Sequence, residues 1–360
     1  MKRVIGTVVA AALIAVCVAI PAPASAAPSK TWVVGPSESV QSAINKAKPG
    51  DRIVLLPGVY RQSVTITKNG ITLRGAGSAS GGTVFKAPSK LPNSPCRQAS
   101  GGAGVCVLGK INDQFEVTKR VSDVTVSGIR FVDWPSMGVF AFGAKDLRLL
   151  ENTVIDAGEY GLARFDSLGG VVQNNTVIGG GEAGIYVGDS ADADTKVINN
   201  DVSGSLFGIF IRHASGVTVQ LNHAWNNCQG IMVLDDGSPG GVSDITLRYN
   251  YVTLNNAACP GSDEEPPLSG GGILLLGASD STVAWNTVRG NEGTEINSGG
   301  IVVMTAADIV PGASDPMNNV VSNNTAFGNS PADVSYDGTG TGNVLTGNFC
   351  ETSSPGGFCV

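Results

Sequence analysis

The residues best able to do chemistry in this 360-residue chain gather in one stretch, IRHASGVTVQLNHAWNNCQGIMVLDDG, from Ile211 to Gly237. It holds both histidines of the chain, His213 and His223, together with Arg212 and the carboxylate pair Asp235-Asp236. An imidazole moves protons near neutral pH, a guanidinium grips a carboxylate, and paired carboxylates hold a hard cation or divide acid and base work. Polar residues between apolar runs are also ordinary turn surface. The elements that carry them therefore decide which reading applies.

The ends and the charge narrow the setting. Lys2 and Arg3 precede an apolar run from Val4 to Ile20, closed by PAPASA. This pattern predicts a secretory signal cleaved after Ala26, and the run is too interrupted for a membrane span. Loss of Lys2 and Arg3 would leave 21 basic against 30 acidic residues, a net charge of −9. Such a chain lacks the basic patches that nucleic-acid binding needs. The expected state is a soluble, secreted monomer. Cys17 leaves with the signal, and Cys96, Cys106, Cys228, Cys259, Cys350 and Cys359 remain. An even count in an exported chain predicts three disulfides. The local pairing 96–106, 228–259 and 350–359 is one of about fifteen connectivities, and the repeat described next favours it. No cysteine spacing matches a zinc site.

The chain repeats. Glycine-led segments read GVFAFG from Gly138, GLARFD from Gly161, GIYVGD from Gly184, GIFIRH from Gly208, GIMVLD from Gly230, GILLLG from Gly272 and GIVVMT from Gly300. A second set ends in Asn152, Asn175, Asn200, Asn222, Asn250, Asn286, Asn324 and Asn348, and a third follows each of these asparagines. Each period of about 23 residues thus carries three short strands with turns between them. Such strands cannot bury an apolar face alone, whereas stacked coils can. The pattern predicts an all-β fold, a single-stranded right-handed parallel β-helix of about ten to twelve coils. Val139, Leu162, Ile185, Ile209, Ile231, Ile273 and Ile301 form the inner row, and Arg164 interrupts the row two residues on. A bulge or local shift is expected to turn Arg164 outward. The asparagines suit left-handed turns and can bond from coil to coil, so they read as scaffold. His223, directly after Asn222, reads the same way.

The stretch SVQSAINKAKPGDRIVLLPGVYRQSVTITKNGITLRGAG, residues 39–77, resembles the entry of the pectin-lyase-like superfamily of parallel β-helix proteins. The resemblance covers residues 36–349. It implies a short capping helix, for which Val40, Ala43, Ile44 and Ala47 have the helical spacing. The implied organisation is a signal at 1–26, an N-terminal segment and cap at 27–50, the β-helix at 51–349 and a disulfide-closed tail at 350–360. Stretches 78–122, 257–271 and 304–318 interrupt the period and are expected as loops leaving a rigid rod.

Register then gathers distant residues. Phe140, Tyr186 and Phe210 are expected to point outward. Asp166, Asp189, Arg212, His213, Asp235 and Asp236 follow at strand ends of consecutive coils, in a strip of roughly 15 Å. Enzymes of this superfamily that cut or epimerise acidic polysaccharides use such a strip. The resemblance implies Arg212 on the substrate carboxylate, His213 as base, Tyr186 as acid, Asp166, Asp189 and Asp235 on Ca²⁺, and Phe140, Phe210 and Asp236 against the sugar. The function expected is therefore a Ca²⁺-assisted lyase or epimerase of uronate-containing glycans. The alternative is a non-catalytic carbohydrate-binding or cell-envelope protein.

Two further resemblances are weaker. Asp189 and Asp235, two coils or about 9.6 Å apart, approach the spacing of inverting glycosidases. Of that branch's motifs only Asp235-Asp236 is present: ENTV from Glu151 lacks the aspartate, and RHAS is not GHG. The repeat also resembles exported β-helix accessory proteins of nitrous oxide reductase, but two histidines and five methionines without a cluster argue against copper handling.

Overall fold

Three-residue strands whose middle side chain is apolar and turned inward line one wall of the molecule from end to end. Val126, Leu149, Val172, Val197, Val219, Leu247, Val283 and Val321 point inward and are fully buried, alternating with less buried neighbours on the other face. The computed structural model describes residues 29–112, 114, 116–261 and 266–360. The expected signal sequence and the acidic run Asp263–Glu265 lie outside them. The described chain winds as a right-handed parallel β-helix. Its long walls are sheet A with 12 strands, sheet B with 11 and sheet C with 11, each pairing in parallel from coil to coil. Within a coil the order is A, B, C, as in Arg148–Leu150, Thr153–Ala157 and Tyr160–Phe165.

Sheet C contains the glycine-led segments. Val139, Leu162, Ile185, Ile209, Ile231, Ile273 and Ile301 pair in register as one fully buried row. The leading glycines are required by close approach. A Cβ on Gly184 would lie 2.2 Å from Cγ1 of Val202, and one on Gly208 would lie 2.5 Å from the carbonyl oxygen of Gly230.

The asparagines form the expected ladder between sheets A and B. The Nδ2 of Asn152 donates to Oδ1 of Asn175 at 3.1 Å, and the chain of amides runs through Asn200, Asn222, Asn250, Asn286 and Asn324 to Asn348. The left-handed backbone, however, belongs to the residue before each ladder position. Glu151, Asn174, Asn199, Leu221, Tyr249, Trp285 and Asn323 have φ between 51° and 60°. The ladder asparagines themselves turn inward, because their amides must reach buried backbone groups. A second ladder, between sheets B and C, joins Asn227, Asn255, Asn291 and Asn329 to Asp333.

Arg164 also departs from expectation. It sits in register between Ala141 and Val187, without a bulge, and is 1% exposed. Its Nη2 donates to the carbonyl of Gly169, while Nε and Nη1 have no partner. Burial lowers its pKa from the ordinary guanidinium range to about 10, with Asp146 acting in the other direction. Unbroken pairing on both sides keeps the strand in phase and leaves the side chain no outward path.

The N-terminal helix Val40–Lys46 caps the rod as the family resemblance implies. Ser39 accepts from Ser42 N at 3.1 Å, Val40, Ala43 and Ile44 are buried, and Lys68 Nζ closes the last turn on the carbonyls of Asn45 and Ala47. A strand not foreseen, Thr31–Val34, precedes the cap and pairs with Arg52–Leu55. Within 78–122 the helical winding continues through Thr83–Lys86 and Ala103–Leu108, which extend sheets B and C. Neither strand has the ladder asparagine that would have marked the period. Between them lies a second helix, Pro95–Ser100.

All three local disulfides are present, with Cα separations of 5.3 Å for Cys96–Cys106, 5.9 Å for Cys228–Cys259 and 5.0 Å for Cys350–Cys359. They serve the insertions. Cys96 ties the second helix across the outer face of sheet C, and Cys259 anchors the segment that carries Leu268. A second apolar cluster forms there, outside the coil interior.

Candidate functional site

That second cluster changes the character of the outward row. Phe140, Tyr186, Phe210 and Met232 face away from the coil interior, yet all are buried beneath the insertions. Tyr186 packs 4.6 Å from the Phe165 ring and 4.9 Å from Tyr160, centre to centre. Burial, then the nearby Asp189 charge, pushes its phenol well above the ordinary tyrosine range. Tyr160 is pushed up likewise, by burial and then by its hydrogen bond with Glu182. Both phenols hold their protons at neutral pH.

Where sheet C strands exit, the chain needs a left-handed residue. Gly143, Asp166, Asp189 and His213 fill this column with φ of 68°, 38°, 51° and 47°. The stacking brings His213 directly between carboxylates of neighbouring coils. Its Nδ1 lies 3.1 Å from Oδ1 of Asp189, and its Nε2 shares a hydrogen bond with Oδ1 of Asp236. The ring is buried and has no nitrogen free, so it orients Asp236 and is not an open base. Arg212 Nε donates to the other oxygen of Asp236 at 2.9 Å. Burial pushes the Asp236 carboxyl up, but the bonds from His213 and Arg212 outweigh it and hold the group below the usual carboxylate range.

Arg212 and Asp236 open onto a cavity of about 250 Å³, with Glu182, Phe207, Phe210 and Asn297 among its lining. Leu268 and Ile309, from the second and third insertions, wall it. Glu182 and Asn297 were not singled out from sequence. The pairing of Glu159 and Glu182, one before each of two consecutive sheet C strands, was the available signal. Asn297 bonds to buried Gln229 at 2.6 Å across 68 residues, which no local pattern discloses.

The other expected site residues are separate. Asp166 pairs with Arg120, whose Nη2 is 2.6 Å from its carboxylate. Asp235 accepts from the backbone N–H of Gly237 at 2.9 Å and of Val242 at 3.3 Å, closing its own loop. Asp166, Asp189 and Asp235 therefore do not converge as calcium ligands. Among the described residues no group of three or more His, Cys, Asp or Glu is placed to hold a metal ion. His223 lies on sheet B, with Nδ1 3.2 Å from Asp201, away from Arg212.

The fold is shared with solved structures of low sequence identity. The DFA-IIIase from Arthrobacter chlorophenolicus A6 in complex with GF2 is 16% identical with a TM-score of 0.61, the match covering 84% of this chain and 78% of that one. The A-module of mannuronan C-5 epimerase AlgE6 from Azotobacter vinelandii is 16% identical with a TM-score of 0.58, covering 87% and 94%. The AlgE4 A-module from the same organism is 16% identical with a TM-score of 0.55, covering 87% and 89%. No curated protein matches the sequence. Residues 62–264, more than half of the chain, match the family NosD, periplasmic copper-binding protein. On that match, and with all-parallel coils stacked throughout, the chain belongs to the NosD family of parallel β-helix proteins.

Proposed function

We propose that this is an exported polysaccharide-handling β-helix protein that takes a uronate-type sugar into the cleft over sheet C. The observation that carries the reading is Arg212, a guanidinium held by Asp236 at the edge of a 250 Å³ cavity partly lined by Phe207 and Phe210. A planar fork suits a carboxylate, and apolar ring faces suit the C–H face of a sugar. A mannuronan C-5 epimerase among the structural neighbours supports the same substrate class.

In the lyase or epimerase form of this reading, Arg212 neutralises the uronate carboxylate and so acidifies the hydrogen at C5. Glu182, the second carboxylate of the cavity, takes that proton while the C–H electron pair moves into the carboxylate. His213 positions Asp236 and, through it, Arg212. In elimination the C4–O bond then breaks and solvent water protonates the leaving oxygen, since Tyr186 is buried beneath the floor and does not line the cavity. In epimerisation solvent water delivers a proton to the opposite face of C5, and Glu182 returns the one it took to solvent. The test is incubation with alginate and polygalacturonate, followed by ultraviolet absorbance for new double bonds and proton NMR for epimerisation. Turnover abolished by Arg212→Ala supports the cleft chemistry, and turnover unaffected by it overturns the assignment.

The burial of His213, Phe140, Phe210 and Tyr186 favours a second reading, a non-catalytic glycan-binding protein of the cell envelope. Binding without turnover is its signature. The copper named by the family finds little to hold it here. All six cysteines outside the signal are in disulfides, and His213 has both ring nitrogens bonded to carboxylates.

A further inference from the structure

The corner between sheets A and B has a second feature unrelated to the cleft. One residue per coil is held left-handed there, immediately before the ladder asparagine. Asn174, Asn199 and Asn323 fill the position with the side chain that tolerates it best short of glycine. Three consecutive coils between them instead carry Leu221, Tyr249 and Trp285, with φ of 58°, 56° and 60°. Bulky side chains are disfavoured in that conformation, and an observed outlier of this kind points to function. Nor does burial compensate, since the three are 53%, 52% and 56% exposed. Asparagine would be the easier residue at each place.

The surrounding surface has the same character. Every exposed large aromatic side chain among the described residues, namely Trp225, Tyr249, Tyr251, Trp285 and Phe349, lies on this corner or on the outer face of sheet B. His223 extends the patch, its ring 5.1 Å from Tyr251 and 5.8 Å from Trp225. The one acid in its midst, Asp201, is occupied by Trp225 Nε1 at 2.9 Å and His223 at 3.2 Å. Arg248, next to Tyr249, and Arg289, two places after Thr287 on sheet B, form no ion pair among the described residues. The result is a row of ring faces stepped at the coil spacing of about 4.8 Å, flanked by Arg248, which Gln220 holds at 3.0 Å, and Arg289, which lies over the Phe327 ring.

We propose that Tyr249 and Trp285, with Leu221 and Tyr251, are a stacking platform for an extended anionic polysaccharide running along the coil axis. Each ring meets one sugar face, and Arg248 reads the carboxylates of the chain. A monotonous polymer matches a monotonous row, and two guanidiniums without a carboxylate partner among the described residues select an acidic one. This platform rests on the polysaccharide reading but is physically distinct from the Arg212 cleft.

The column itself supplies the decisive variant. Tyr249→Asn with Trp285→Asn installs the residue already accepted at Asn199 and Asn323, so the double variant is expected to melt at the same or a higher temperature. It is expected to lose about tenfold or more in affinity for alginate and polygalacturonate, measured by affinity electrophoresis, since tenfold is about 1.4 kcal/mol. Arg248→Gln is expected to erase the preference for these polymers over neutral laminarin. Unchanged affinity in the double variant overturns the proposal. So does a lowered melting temperature, which would make the rings structural, or loss of a concentration-dependent dimer in place of glycan binding. If the double variant keeps wild-type affinity while Arg212→Ala abolishes turnover, the platform falls and the cleft stands. If wild-type protein neither binds nor turns over any of the three polymers, both readings fall.

Discussion

Arg212 Nε lies 2.9 Å from Oδ2 of Asp236, across 24 residues of sequence and one coil of structure. His213 holds the other oxygen of the same carboxylate, so three residues from two coils form one unit. Asp236 is its hub. The folded-state pKa of Asp236 is depressed, so its contribution to stability is present above the ordinary carboxylate range and is lost as pH falls through and below it. Asp236→Asn should destabilise the protein by about 2 kcal/mol at neutral pH. It should also flatten the acid limb of the stability profile, as read from urea midpoints between pH 3 and pH 7. An unchanged acid limb would mean that Asp236 is not the linked group.

Arg164 presents the opposite case. A guanidinium with two unpartnered nitrogens inside an apolar coil costs stability at neutral pH. Its folded pKa of about 10 lies below the ordinary guanidinium range, so this penalty is complete below about 10 and is relieved as pH rises above it. Arg164→Met should be neutral or stabilising by about 1–4 kcal/mol in thermal or chemical unfolding at neutral pH. A clear loss of stability would show that the buried charge has a partner that outweighs its desolvation.

The asparagine ladder is expected to behave as a cooperative spine. The Oδ1 of Asn250 accepts both from the backbone N–H of Asn222 at 3.0 Å and from its side chain at 3.0 Å. Asn250→Ala would leave those buried donors without an acceptor, at a cost of about 3 kcal/mol or more. Asn152 begins the ladder, its Oδ1 accepting from the backbone N–H of Ile129 at 3.2 Å and, among the described residues, from no ladder amide, and its replacement should cost less. Equal losses at both positions would contradict a ladder that gains from its own continuity.

Cys228–Cys259 closes a loop of 31 residues whose far end supports the cavity wall. Replacing both cysteines with serine should cost about 3–4 kcal/mol in global stability. Protease cutting within 257–271 should become faster at the same time. Wild-type cutting rates in the variant would mean that Leu268 packing alone holds the wall.

How much of this could be read in the chain can be judged residue by residue. Periodicity sufficed for the inner row from Val139 to Ile301 and favoured the three cysteine pairs, while the cap at Val40–Lys46 came from the family resemblance, with which its helical spacing agrees. The row and the pairs follow from short-range spacing and from apolar side chains having one place to go. Arg164 was misplaced because its type was read against the row, when unbroken pairing on both sides decides which way a strand residue points. The ladder asparagines were found, but the left-handed turn was assigned one residue too late. Tolerance of that conformation and the need to bond inward are different properties of the same side chain.

Tertiary structure alone decided what the outward row does. Sequence places Phe140, Tyr186 and Phe210 on the outer face of sheet C, and only the insertions, folded back and tied by Cys96 and Cys259, turn that face into a buried floor. It also decided that His213 is enclosed, because Asp189 and Asp236 approach it from neighbouring coils at distances no spacing rule specifies. The repeat sets which residues share a column, since backbone hydrogen bonding has a constant step. Which members of a column meet, and under what cover, depends on loops that obey no period.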